Sequence, residues 1–213
     1  MIKYLILALL LSCTTPDTKS SEPLSTEQIH GRGHEGKRPL IYRAKVPHSW
    51  VRRDPLATTN LSDTTLSIVD FFIVDDEGAV RIAIHNFPTE RIDQRIPPAA
   101  QVARWQRQLE NIDPSSVTVE PLSFSGYKGL YFEGASRNDD SPLMVIGWSL
   151  QLADIHYRAL TPSSNETDTL EHREKRGDVT IKATGPRDVV EKHKEAIQAF
   201  AQTFEQIEEI PSR

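Results

Sequence analysis

Cysteine is almost missing from this chain: one residue in 213, Cys13. The remainder holds no thiol to be oxidised or mispaired, which suits an exported protein. Long apolar runs are missing too. The only candidate, Tyr4 to Leu11, is eight residues long, whereas a helix needs about 20 to span a bilayer. No second run follows, so no transmembrane helix is expected in the mature chain. Basic residues do not dominate, with 25 Lys and Arg against 30 Asp and Glu for a formal net charge of −5. That balance argues against non-specific nucleic-acid binding. Hydrophobic residues make up 38%, low for a globular chain because part of it does not read as globular. No internal repeat is present.

Catalytic signatures are equally scarce. Ser123 and Ser125 in LSFSGYKG lack the G-x-S-x-G pattern and the strand-to-helix turn of a nucleophile elbow. Gly126-x-x-Gly129 is not followed by a helix start, so it is no phosphate loop and reads as a hairpin turn. Asp75-Asp76-Glu77 lacks the spacing of an EF-hand loop and reads as a solvated turn. No nucleophile, base and orienting group fall into a recognisable set. No enzymatic activity and no cofactor are expected.

The place of the lone cysteine is informative. Lys3, the short apolar run and Leu10-Leu11-Ser12-Cys13 match a secretory signal whose cut site resembles the bacterial lipobox. By that resemblance residues 1–12 are a signal peptide and Cys13 receives a diacylglycerol, the new amine often being acylated as well. Two or three acyl chains hold a protein firmly to a membrane, where one does not. Thr14-Thr15-Pro16 breaks the apolar run at once. Residue 14 is Thr and not Asp, which by the enterobacterial sorting rule favours the outer membrane, with the domain facing either the periplasm or the outside.

Residues 14–38 are rich in Ser, Thr, Pro, Gly and charge, with Leu24 and Ile29 as their sizeable apolar residues. Such a stretch buries too little surface to offset its ordering entropy. The segment 13–38 is therefore expected to be a lipidated cysteine and flexible stalk, with a reach of roughly 25–30 Å. Within it, His30 and His34 in IHGRGHEG are a candidate metal pair, since neutral imidazoles beside Glu35 suit zinc or copper. The surrounding glycines argue against a helix that would align them, and a polar linker is the preferred reading.

From Pro39 the pattern changes to that of one folded domain, residues 39–209. Strands are expected over PLIYRAKV, in a short stretch through Trp50, and at 65–74, 79–87, 117–124, 127–134, 143–152, 154–160 and GDVTIKATG. Asp75 to Gly78 is expected to turn a hairpin. Pro97-Pro98 opens a helix striped by Val102, Trp105, Leu109 and Ile112. Gly185-Pro186 opens a second, striped by Val189, Val190, His193, Ile197, Phe200, Ala201, Phe204 and Ile207. The segment TPSSNETDTLEHREKRG reads as a long loop. Hairpins and helices without serial parallel βαβ units argue α+β. Trp50, Trp105 and Trp148 each sit in an element with core periodicity and read as packing residues.

With VPHSW near its start and a closing strand, Gly-Pro and helix ending in IQAFAQTFEQI, the domain resembles the Mog1/PsbP-like family. The resemblance implies an antiparallel sheet covered by helices, an α/β/α sandwich, and work by binding other proteins. That family includes photosystem extrinsic subunits, a nuclear partner of a small GTPase and bacterial lipoproteins. No residue here matches the metal or GTPase-partner positions of those relatives, so no site is carried over. The charge layout adds one candidate. Arg91, Arg95, Arg104 and Arg107 lie in and before the first helix, and Arg104 and Arg107 are neighbours on its surface. They are weighed as a docking face for an acidic envelope protein or a polyanionic glycan, against an ordinary solvated helix face. The expected whole is a membrane-anchored, non-catalytic binding or assembly module of the bacterial envelope. The alternative is a carrier of a small ligand or metal.

Overall fold

The computed structural model describes residues 22–33, 38–55, 63–89, 91–137, 142–159 and 170–207. Cys13 and His34 lie outside them, as do residues 1–21. The core is a seven-stranded, wholly antiparallel sheet in the order β3-β4-β5-β9-β8-β7-β6. Its strands are β3 (Val51–Arg53), β4 (Val69–Asp75), β5 (Gly78–Phe87), β6 (Thr118–Phe124), β7 (Tyr127–Ala135), β8 (Leu143–Leu152) and β9 (Asp178–Pro186). A second sheet, in the order β1-β2-β10, joins β1 (Leu24–His30), β2 (Leu40–Pro47) and β10 (Glu205–Gln206).

Two helices cover opposite faces, which makes the fold an α+β sandwich. Helix α1 (Pro98–Gln108) begins at proline, whose fixed φ and missing N–H suit a first turn. Its Val102, Trp105 and Leu109 pack on Phe132 of β7 and Val145 of β8. Helix α4 (Arg187–Gln202) lies on the other face. There Val189, Val190, Ile197 and Phe200 meet Ile82, Ile84, Ile146 and Trp148. Phe200 sits between Trp50 and Phe71, with ring centroids 5.3 and 5.5 Å away. Aromatic pairs of this kind contribute about 0.5–1.5 kcal/mol each beyond their area burial.

The two tight hairpins follow turn chemistry. Gly78 takes φ +144° where β4 turns into β5. Ser125 and Gly126 both have positive φ between β6 and β7, the conformation of a two-residue type I′ turn.

Four expectations need correction. Residues 24–30 are not stalk: they form β1, paired along its length with β2, and Ile29 is fully buried. One apolar side chain and the ladder to β2 suffice to hold an edge strand whose other residues are polar. Residues 154–160 alternate like a strand, yet Asp154–Ala159 form a short helix, α2. The long polar loop contains helix α3 (Leu170–Lys175), on which Glu174 is buried. Helix α4 stops at Gln202, and Phe204 is buried because Thr203 turns the chain into β10. The Thr203 hydroxyl donates to Phe200 O at 2.8 Å and accepts from Lys45 N–H at 2.9 Å, which ties that turn to β2.

Candidate functional site

Among the described residues helix α1 packs on β7 and β8 rather than on the β4-β5-β9 half of that face. The register fixes what stands there. Lys182 of β9 lies between Gly147 of β8 and Ala83 of β5. Thr180 pairs with His85, and Thr184 with Arg81. Because neighbours in register share a face, Arg81, His85, Thr180 and Lys182 all point to the α1 side. The small residues on either side of Lys182 leave a hollow there. Gly147 has a second effect: a Cβ at that position would lie 2.5 Å from the Trp105 ring, so glycine lets the indole lie against the sheet. Trp105 then closes one wall.

The result is a cleft of about 250 Å³ between α1 and the sheet. Arg104, Gln101 and Gln108 line it from the helix, and Thr64 and Thr65 from the segment before β4. Its charge is one-sided. Arg81 is paired, its Nη2 donating to both carboxylate oxygens of Asp70 at 3.0 Å. Lys182 Nζ donates to the neutral Oε1 of Gln108 at 3.1 Å. Among the described residues neither Lys182 nor Arg104 pairs with a carboxylate. Three cations against one carboxylate leave a formal excess of two positive charges, on a chain whose net is −5. Burial, with Arg81 and Arg104 adding repulsion, pushes the Lys182 ammonium below its ordinary value. Burial likewise takes His85 down to about 4, with Lys182 and Arg81 adding to the effect, so its imidazole is neutral at pH 7. Such a site attracts anions and repels metal cations.

The four arginines weighed as a docking face separate. Arg104 lines the cleft and Arg107 is exposed one turn further along α1. Arg91 is exposed and bound to Asp93 at 2.7 Å. Arg95 is a correction: its side chain is 4% exposed, donates to Asp178 Oδ1 from Nε at 2.9 Å and Nη2 at 2.6 Å, and donates to Leu152 O at 2.7 Å. It also lies over the Tyr157 ring, 5.1 Å from the centroid. Arg95 joins β8, β9 and α2 and is not available to a partner.

His30 is the last residue of β1. Burial, then the Arg38 and Arg52 cations, lower its pKa. Among the described residues no group of three or more His, Cys, Asp or Glu side chains is placed to hold a metal ion. Nor is any described helix long and apolar enough to cross a membrane.

No protein-family model matches the sequence, and no curated protein matches it. Solved structures do resemble it at low identity. LpqN of Mycobacterium tuberculosis, involved in cell envelope biogenesis, has a TM-score of 0.49 at 10% identity, over 86% of this chain and 91% of that one. Cyanobacterial PsbP from Synechocystis sp. PCC 6803 has a TM-score of 0.40 at 11% identity, over 76% and 85%. A protein of unknown function from Pseudomonas aeruginosa, described as a putative regulator, has 0.38 at 12%, over 89% and 98%. The fold class rests on the strand register and helix placement described above.

Sequence reasoning found Arg104 and missed Lys182, Arg81 and His85. The last three are polar members of alternating strands, and only the pairing of β5 with β9 brings them together.

Proposed function

We propose that this chain is a lipoprotein of the bacterial envelope, with a Mog1/PsbP-like domain, that works as a non-catalytic binding module. Acyl chains on Cys13 hold it to the membrane, at the outer membrane by the residue that follows the cysteine. The cleft beneath α1 is its binding face and takes an acidic group of a partner. One observation carries this reading: Arg81, Arg104 and Lys182 meet in one hollow of an acidic chain, with Asp70 the one carboxylate paired there among the described residues. Keeping like charges together costs stability, and a complementary anion offsets that cost. Confinement to a membrane raises the effective concentration of partners on the same surface, so modest affinity suffices.

The test is crosslinking of intact envelopes, followed by capture through a C-terminal tag and mass spectrometry. Wild type is expected to bring down a reproducible envelope protein, and Arg104→Glu with Lys182→Glu to lose it. Equal capture by both would remove the cleft from the account. The anchor is tested apart: Cys13→Ala should lose lipid mass and stay uncut.

A second reading, a carrier of a small anionic ligand, draws on the partly open cleft of about 250 Å³, a little below the usual size of a small-molecule site. An empty capture with good crosslinking of known neighbours supports the carrier.

A further inference from the structure

We infer that the group read by the cleft is a phosphate monoester. This deepens the anion-binding reading above and rests on it. Three features separate the monoester from a carboxylate. The first is charge. A phosphate monoester carries about −1.5 to −2 at pH 7, which matches the excess of two positive charges left by Arg81, Arg104 and Lys182 after Asp70. A carboxylate would leave one cation uncompensated.

The second feature is the direction of the donors. A planar carboxylate is satisfied by a single guanidinium group, and Asp70 is already held by Arg81, whose Nη2 donates to both of its oxygens. Arg104 approaches from the helix and Lys182 from the floor of the sheet, while the Thr65 hydroxyl on the rim already donates to Asp63 Oδ1. Cationic donors from two different directions suit the terminal oxygens of a tetrahedral group better than those of one planar carboxylate. Lysine serves such a group as a point charge.

The third is the neighbourhood of the lysine. Its ammonium makes its hydrogen bond to a neutral amide, Gln108 Oε1. Small Ala83 leaves space on one side of it, and Trp105, lying over Gly147, walls the other. An ammonium half out of water, beside two guanidinium groups and without a carboxylate partner among the described residues, lacks its counter-charge. A bound phosphate supplies it.

The same chemistry occurs on small soluble phosphomonoesters and on phosphatidic acid in a membrane. The experiment is calorimetric titration of the full chain in detergent with inorganic phosphate, glycerol 1-phosphate, short-chain phosphatidic acid and acetate. Saturable one-to-one binding of phosphate and its esters is expected, with acetate weaker by at least about tenfold. Lys182→Met and Arg104→Gln are each expected to weaken binding about tenfold or more, as loss of a charged hydrogen bond does. Arg43→Gln, on the three-stranded sheet, should bind as wild type. Glycerol 1-phosphate equal to phosphatidic acid supports a soluble ligand. Phosphatidic acid much the tighter supports a lipid headgroup. No saturable binding of any phosphate, acetate as tight as phosphate, or unchanged affinity in both cleft variants would overturn the inference. Should envelope capture still depend on Arg104 and Lys182 in that case, the docking reading stands and the phosphate reading falls.

Discussion

Lys182 in the middle of β9 donates a hydrogen bond to Gln108 in the last turn of α1, Nζ to Oε1, at 3.1 Å. The bond joins the floor of the cleft to its wall with a neutral acceptor where a carboxylate would stabilise the ammonium more. A charge held so is a candidate for a trade between stability and function.

Replacing Lys182 with Met keeps the length of the stem and removes the charge. The lowered ammonium pKa means that charging Lys182 costs more in the folded chain than in the unfolded one. The variant is expected to unfold at a slightly higher temperature than wild type, while anion binding is lost. Thermal unfolding at pH 7 checks it. A variant that is less stable would mean that the hydrogen bond outweighs the repulsion.

A second prediction concerns Glu174, fully buried on α3. Its Oε1 accepts from Arg32 N–H at 2.6 Å and lies 3.6 Å from Arg32 Nη1. Burial dominates and raises its pKa from an ordinary 4.5 to about 7, against the pull of Arg32. Between those values the folded chain holds a proton that the unfolded chain has released, so this group's contribution to stability falls as pH rises from 4.5 to 7. His85, lowered to about 4, works the other way, adding stability as pH rises from 4 to 6.5. Comparing wild type with Glu174→Gln isolates the glutamate. The variant should gain on wild type by about 2–3 kcal/mol between pH 4.5 and 8, read by urea unfolding. A constant difference across that range would show that Glu174 does not titrate in it.

Gly147 allows Trp105 to lie on the sheet, since a Cβ there would come within 2.5 Å of the ring. Gly147→Ala is expected to cost about 1–3 kcal/mol through overpacking and to shift tryptophan emission as the indole moves. Cleft binding should weaken with it. Unchanged emission and stability would place the indole elsewhere.

Arg95 gives the contrasting case. Removing its guanidinium leaves Asp178, itself buried, without its ion pair, and breaking a buried pair costs about 3–5 kcal/mol. Arg95→Met should therefore lower the urea midpoint strongly. At temperatures where the variant is still folded, envelope capture should match wild type. Loss of capture by a fully folded variant would return Arg95 to the binding face.

Much of the fold was legible in the sequence. The stripes of α1 and α4 recur every three or four residues, and their buried apolar members are those named from spacing, although Gln101 of α1 is buried as well. The Asp75–Gly78 turn carries its own chemistry. What escaped was polar or context-dependent. In β1, Ile29 is the one fully buried residue, so composition alone reads as stalk, and the ladder to β2 that orders it lies in a different segment. In α2, Ile155 is 41% exposed while Tyr157 is buried below Arg95 and Arg176, so alternation arose without a strand. The cleft draws on positions 81, 104 and 182, which no local motif connects. Strand pairing assembles it.

The central claim is that the α1-side cleft, and not the α4 face, is where this protein meets its partner. The most direct measurement is photo-crosslinking in intact envelopes from two single positions. Position 65 is on the rim of the cleft. Position 195 is on the exposed side of α4. The account predicts a discrete adduct from position 65 that disappears with Lys182→Glu, and none from position 195. An adduct from position 195 alone, or one from position 65 that Lys182→Glu leaves intact, would contradict it.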